Sequence, residues 1–385
     1  MLRLTSIKTL IKVCIKRVLY YCPIQKDKVV FLNFYGRGYG DNPKYIAEEI
    51  LRQKLPWKLI WLVRGRPEIP AYIKAVDMDG LPAFYELSTA KFIISNCKNN
   101  IPLTFLSRKK KKQFYLQTWH GDFALKYIEK EIEESFSPGY LAISQIDSAA
   151  TNAILSGNRQ FSSILRTSFW LPKQCEVLEY GAPRNDLYFR GEELKNRLKL
   201  ELGFSDNDMI ILYAPTFRDD FDFSCYNLDL ERLRKALPQS DEITWKIIVR
   251  LHPKVSSEVR AFYYSDYIID GSVYSDQQEL CLISDYLITD YSSIMGDFLL
   301  MKKPVFLYVP DLEKYANKSV GRGLRDFYFR LPFSFSRNQF ELESHLAGFN
   351  EAGYCERVRA FMRDYYDTFD DGHASERVVN HLKSV

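Results

Sequence analysis

The chain has 385 residues, 46% of them hydrophobic and 26% charged, with a net charge of +4. That is enough apolar material for two ordinary cores, and it excludes both a disordered chain and a globally basic nucleic-acid binder. The seven cysteines (Cys14, Cys22, Cys97, Cys175, Cys225, Cys281 and Cys355) are scattered with no C-x-x-C pair, which points to reduced structural thiols in a cytosol.

No window of about twenty apolar residues exists to cross a bilayer. From Met1 to Ile24, within the basic amphipathic segment 1–26, the chain nevertheless carries Arg3, Lys8, Lys12, Lys16 and Arg17 with no acidic residue, interleaved with Leu4, Ile7, Leu10, Ile11, Val13, Ile15, Val18 and Leu19. Lys8, Lys12 and Lys16 recur every fourth residue, along one side of a helix. Such a basic amphipathic helix suits the surface of an anionic bilayer, and packing on the protein's own core is its other use. The basic residues interrupt the apolar run and no small-residue cleavage site follows, so a signal peptide fits poorly.

Lys28 to Phe34 reads as a first strand that runs into Gly36, Arg37, Gly38, Tyr39 and Gly40, ahead of a helical pattern from Tyr45 to Lys54. The glycines permit tight turning and close ligand approach. The spacing lacks the dinucleotide fingerprint, and no acidic residue is placed to hold a ribose. Leu59 to Arg64 and Phe92 to Asn96 are further strands, and the alternation with helices predicts an α/β domain with a parallel sheet. Arg108 to Lys112 is a run of five positive charges, either a solvated loop or, with the first helix, a patch for lipid head groups. The strand Gln113 to Gln117 leads into Thr118, Trp119, His120, Gly121 and Asp122, continuing to Lys126. His120 thus stands at the carboxyl edge where open α/β sheets bind ligands, a candidate base. Leu141 to Ser144 and Val177 to Tyr180 read as two more strands, and the turn Gly181 to Asp186 marks a domain boundary.

After a helix from Glu192 to Leu202 the strand pattern restarts. Met209 to Tyr213 leads to Arg218, and Trp245 to Leu251 to His252. A short strand at Ile268 and Ile269 follows, and Cys281 to Thr289 then leads to Asp290, Ser292 and Ser293. A helix from Ser292 to Met301 and a strand from Val305 to Val309 complete this unit. The free N–H groups of that helix point at the turn, so Asp290, Ser292 and Ser293 surround an anion site or simply cap the helix. Three polar strand ends on one edge, with cationic and hydroxyl donors, suit a diphosphate. Pro310 to Phe335, with Arg325, Tyr328 and Arg330, reads as a lid or acceptor wall. The tail from Val358 to Val385 is helical, broken at Asp370 to Ser375, with Asp371 or Ser375 capping the last helix. The D-x-D pairs Asp77 and Asp79, Asp206 and Asp208, and Asp220 and Asp222 fall in loops and argue only weakly for a cation.

Six ordered motifs carry a resemblance over nearly the whole chain: Gln117-Thr-Trp-His-Gly121, Gly181-Ala-Pro-Arg-Asn-Asp186, Tyr213-Ala-Pro-Thr-Phe-Arg-Asp-Asp220, Arg250-Leu-His-Pro253, Ile288-Thr-Asp-Tyr-Ser-Ser-Ile-Met295 and Asp371-Gly-His-Ala-Ser-Glu-Arg377. Together they resemble the CDP-glycerol:poly(glycerophosphate) glycerophosphotransferases, the teichoic-acid primases and polymerases with related capsule enzymes. The resemblance implies a GT-B architecture, two Rossmann-like domains with parallel sheets facing a cleft. Residues 27–186 would be the acceptor domain, 187–360 the CDP-donor domain, and 361–385 helices packing back on the first. It implies that His120 and His252 are the two essential histidines. The donor pyrophosphate would be held by His252, Ser292 and Ser293, with Arg218 and Asp290 nearby, and Asp297 would meet the ribose by fold analogy. Gly36, Arg37, Gly38, Asp122 and Lys126 would lie toward the acceptor. Asp122 stands where the family often has Thr, and Leu331-Pro-Phe-Ser334 where a Pro-Gly is common, so acceptor identity is the part the resemblance leaves open.

The implied partners are CDP-glycerol or CDP-ribitol, a lipid-linked or oligomeric polyol-phosphate or glycan acceptor, and the anionic cytoplasmic face of the cell membrane, to which the protein would attach peripherally. Nucleic acid is not among them. No metal or other cofactor is implied, although a shared magnesium is compatible with the chemistry. Two other functions fit parts of the pattern: a nucleotide-sugar glycosyltransferase or epimerase in the same fold, and a membrane-surface scaffold binding anionic polymer.

Overall fold

Runs of β-branched and aromatic residues fall into two parallel sheets in the computed structural model, which describes residues 14–15, 17–98, 109–218, 226, 228–252, 262–317 and 323–385. The chain divides into one unit of residues 1–122, 128–186 and 368–385 and another of residues 123–127 and 187–367.

The first unit holds β1 (Gln25–Leu32), β2 (Lys58–Val63), β3 (Lys74–Asp77), β4 (Ala90–Ser95), β5 (Phe114–Gln117), β6 (Ala153–Leu155) and β7 (Glu176–Leu178) in the order β3-β2-β1-β4-β5-β6-β7. Val29 and Phe31 enter one apolar cluster, whereas Val30 and Leu32 enter another. The sheet is therefore buried on both faces, which is why its strands read as continuous apolar runs. The strand order reverses between β1 and β4, and at such a switch point the loops leave a crevice beyond the strand ends. The second unit repeats the plan with β8 (Asp208–Ala214), β9 (Thr244–Val249), β10 (Ile268–Asp270), β11 (Tyr286–Thr289), β12 (Val305–Tyr308) and β13 (Ser334–Ser336), ordered β10-β9-β8-β11-β12-β13. Its switch point lies between β8 and β11.

Several segments differ from the sequence reading. Residues 141–144 lie inside the helix Pro138–Ala150, whose first turn is set by Pro138 and by Ser137 accepting the Tyr140 N–H; a four-residue apolar run has no period of its own to decide between helix and strand. Cys281 lies within a helix, Gln277–Ile283, and the strand begins only at Tyr286. The last helix, Ala374–Ser384, is capped by neither Asp371 nor Ser375. Asp186 does this from far away in sequence, accepting the Ala374 and Ser375 N–H groups at 2.9 and 2.7 Å, and the helix packs on Asp41–Arg52 within the first unit.

Residues 1–13 and Arg108 lie outside the described residues. Of the remaining charges in the basic run, two point inward: Lys109 Nζ donates to Asn152 Oδ1 at 2.8 Å, and Lys110 Nζ to the Cys22 and Ser88 carbonyls at 2.6 and 2.7 Å. These two lysines brace the first unit, leaving Lys111 and Lys112 on the surface. Among the described residues, no helix is long and apolar enough to cross a membrane.

Candidate active site

In the first unit the loops after β1, β4 and β5 meet at the switch point. The loop after β1 is held in conformations that ordinary side chains avoid, with φ of +37° at Phe34, +60° at Tyr35, +89° at Gly36, +67° at Gly38 and +53° at Asp41. Such strain persists only where surrounding contacts impose it, and it concentrates at functional sites. Gly36 is required twice over: its φ favours glycine, and a Cβ would come within 2.8 Å of the Arg64 nitrogen. The Gly36 and Gly38 carbonyls are tied down by the Arg64 N–H at 2.8 Å and the Trp61 indole N–H at 3.1 Å. Arg37 projects its side chain to the exposed side of this fixed loop.

His120 follows β5 and comes directly after Trp119, itself at φ +54°. Its Nδ1 lies 2.5 Å from the Asn96 carbonyl oxygen at the end of β4. A carbonyl can only accept, so Nδ1 carries the proton and the lone pair is on Nε2, the tautomer a general base needs. The rings of Phe34 and Trp119 lie against the imidazole, with centroids at 5.3 and 4.5 Å. Burial lowers its pKa below the usual histidine value, so the ring is neutral near pH 7.

Next to His120, Asp122 is held 3.6 Å from Arg184, whose other side is 3.7 Å from Asp41. Only glycine leaves room for this carboxylate at position 157, where a Cβ would sit 1.7 Å from Asp122 Oδ2. Asp122, Arg184, Asn42 and Gly181 line a small pocket that also touches Thr118 and Gly121. Burial raises the pKa of Asp122, and burial with the Asp122 charge pushes Asp370 up to about 7. Asp370 accepts the Ala182 N–H at 2.7 Å and the Asn185 amide at 3.0 Å, fastening the tail to the turn 181–186. Sequence reading took Arg184 for part of a boundary turn and passed over Asn33, Asn42 and Asn96. Lone asparagines carry no period, and only the sheet order brings them together.

Lys126, expected on the acceptor side of the first domain, is instead in the second unit. It bridges to Leu324, and its carbonyl accepts from Arg325 Nε at 3.3 Å.

In the second unit the β8 and β11 loops are stitched together at the switch point. Thr289 Oγ1 donates to the Ala214 carbonyl at 2.7 Å, and Asp290 accepts the Thr216 N–H at 2.9 Å. Arg218 is buried, 2.9 Å from Asp290 and 2.7 Å from Asp311, with its guanidinium carbon 4.9 and 5.0 Å from the Tyr291 and Tyr315 ring centres. Two carboxylates therefore already face this cation, and neither Asp290 nor Arg218 is presented as a bare phosphate ligand. Ser292 and Ser293 are half-buried just before the helix Ile294–Leu300. That helix starts two residues later than expected, and Ser292 Oγ accepts the Ile294 N–H at 3.4 Å. Asp297 is buried within it, a setting that gives no support to a ribose contact. His252 is exposed beyond β9, its ring stacked on Phe217 with centroids at 5.5 Å, and Arg250 anchors that strand end to the Gly271 and Tyr274 carbonyls. Among the described residues, no group of three or more His, Cys, Asp or Glu side chains is arranged to hold a metal ion. Asp79 pairs with Arg64 at 2.8 Å, and Asp220 and Asp222 lie outside the described residues.

A family profile described as CDP-Glycerol:Poly(glycerophosphate) glycerophosphotransferase matches residues 14–384. The chain is 30% identical over 92% of its length to a teichoic acid poly(glycerol phosphate) polymerase of Staphylococcus epidermidis, of which it covers 50%. It is 32% identical to a teichoic acid glycerol-phosphate transferase of Staphylococcus aureus, with 92% of each chain covered. It thus spans about half the length of the polymerase and nearly all of the transferase. Solved structures of the wall teichoic acid polymerase TagF align over 99% of this chain and 96% of theirs, with 28% identity and a TM-score of 0.85 for one variant and 27% and 0.84 for another studied with CDPG. The fold is accordingly α/β of the GT-B class, built from two Rossmann-like units.

Proposed function

The chain belongs to the CDP-glycerol:poly(glycerophosphate) glycerophosphotransferase family, and from that premise we propose that it transfers glycerol phosphate from CDP-glycerol to a hydroxyl of a teichoic-acid or related polymer precursor, releasing CMP. The observation that carries the reading is the His120 tautomer, with Nδ1 committed to the Asn96 carbonyl and Nε2 left as the basic nitrogen.

The acceptor oxygen forms a bond to the phosphorus that carries the glycerol, and the bond from that phosphorus to the CMP oxygen breaks. The hydroxyl proton passes to His120 Nε2, and CMP leaves with the bonding electrons. His252, Ser292 and Ser293 supply donors for the diphosphate as charge moves onto CMP. Arg218 acts one step back, locking the β8 and β11 loops that carry these groups. Arg37 on the fixed loop after β1 and Asp122 beside His120 face the acceptor, a cation for its phosphates and a carboxylate for its hydroxyls.

A donor panel tests this directly. With an oligomeric glycerophosphate acceptor, the protein is expected to release CMP from CDP-glycerol and no UDP from UDP-sugars. UDP release without CMP would favour the nucleotide-sugar reading, and no release from any donor would favour a binding scaffold. Attachment to the cytoplasmic membrane face through residues 1–26 is part of the same proposal. Its support is the exposure of Val18 and Tyr21, 69% and 83%, at the end of the basic segment. The protein should sediment with vesicles containing anionic lipid and much less with neutral ones, and equal sedimentation with both would count against it.

A further inference from the structure

We propose that Asn96, paired with Asn33 across the switch point of the first sheet, is a positioning residue that fixes the tautomer and ring placement of His120 and ties them to the loop Gly36 to Gly40. The inference rests on His120 being the base.

Both amides are buried, with Asn96 fully out of solvent and Asn33 3% exposed. Each directly follows a strand, β1 for Asn33 and β4 for Asn96, and these strands are neighbours in register, Leu32 opposite Ser95. Buried amides must be hydrogen-bonded on both sides, so the network dictates their orientation. Phe34 N–H can only donate, and it meets Asn96 Oδ1 at 2.9 Å. The Asn96 amide nitrogen therefore faces Asn33 Oδ1, to which it donates at 2.8 Å. Asn33 in turn donates to the Arg37 and Gly38 carbonyls at 2.9 and 3.3 Å. One residue thus works in two directions. Its side chain holds the strained loop after β1, and its main-chain carbonyl accepts the Nδ1 proton of His120.

The consequence is mechanical. The Asn96 carbonyl stays in place because the side chain of the same residue is anchored at both ends. Removing that side chain strands the Phe34 N–H and Asn33 Oδ1, and the peptide carrying the carbonyl can then rotate. The imidazole loses the acceptor that keeps its proton on Nδ1, and a share of the molecules carries it on Nε2, where it blocks proton abstraction. Groups that orient a working histidine through its far nitrogen are commonly worth about 10–100-fold, and more where they alone set the tautomer.

The test uses the full chain and Asn96→Ala. Ring ¹⁵N NMR should show His120 protonated on Nδ1 in the unaltered protein and a mixture of tautomers in the variant. Acceptor-dependent kcat should fall about 10–100-fold while CDP-glycerol affinity stays within about twofold. In a His120→Ala background the same substitution should cost nothing further. An unchanged ring spectrum, or an equal loss of activity in both backgrounds, would overturn the proposal in favour of plain packing. If Asn96→Ala does not fold, Asn33→Ala serves in its place, since it frees the loop carbonyls and one end of the Asn96 amide while leaving β4 intact. It should show the same tautomer mixing, and its absence would likewise count against the idea. Substantial activity in His120→Ala alone would refute the base assignment itself, a result separable from the NMR outcome.

Discussion

Replacing His120 with alanine is expected to lower acceptor-dependent CMP release about 10²–10⁴-fold with little change in CDP-glycerol binding. The loss should lie in kcat, because in the proposed mechanism the imidazole takes the acceptor's proton, a contribution realised only as the P–O bond forms. The pH profile supplies an independent sign. A general base works deprotonated, so activity falls as pH drops through its pKa. Burial lowers that pKa, which places the acid limb of kcat/KM below the ordinary histidine value near 6.5. An acid limb above 6.5 that survives in His120→Ala would show that another group titrates in its place. Circular dichroism of the variant should match the parent, since the half-buried ring is not a core support.

The second large effect falls on stability. Arg218→Ala is expected to destabilise the second unit by about 3–5 kcal/mol, because it leaves the buried Asp290 carboxylate without its guanidinium. Asp290 is 2.9 Å from Arg218 and accepts the Thr216 N–H, and Asp311 also accepts the Tyr291 hydroxyl at 2.9 Å. One cation thus clasps the loops after β8, β11 and β12. Arg218→Lys should recover only part of the loss, since an ammonium cannot span both carboxylates in the planar fork of a guanidinium. A direct phosphate ligand behaves otherwise: truncation would leave the melting temperature unchanged and weaken CDP-glycerol alone. Thermal unfolding followed beside donor titration separates the two, and an unchanged melting temperature would contradict the clasp.

These two residues also show how far the sequence could be read. His120 was legible because a strand ending in Trp-His-Gly has one plausible edge to occupy, and the structure shows which ring nitrogen is engaged. Arg218 was legible as a polar strand end, but its partners were not. Asp290 and Asp311 lie 72 and 93 positions further along the chain, and only the β8-β11-β12 order brings them beside it. The same holds for Asp186 at the start of the last helix and for the Asn33 and Asn96 pair. Long apolar strands were visible because burial on both faces makes them continuous, as with Val29 to Leu32. The three-residue strands Ala153–Leu155 and Ser334–Ser336 were not read as strands. Asp122 was legible as a departure from the motif that carries the resemblance. Its meaning needed Gly157, whose missing side chain makes the space.

The most direct measurement is the mass of the acceptor after incubation with CDP-glycerol. The acceptor should become heavier by one or more glycerol phosphate units, with CMP formed in equal number and neither product formed by His120→Ala. An acceptor of unchanged mass alongside CMP release, or extension that persists in His120→Ala, would contradict the proposed transfer.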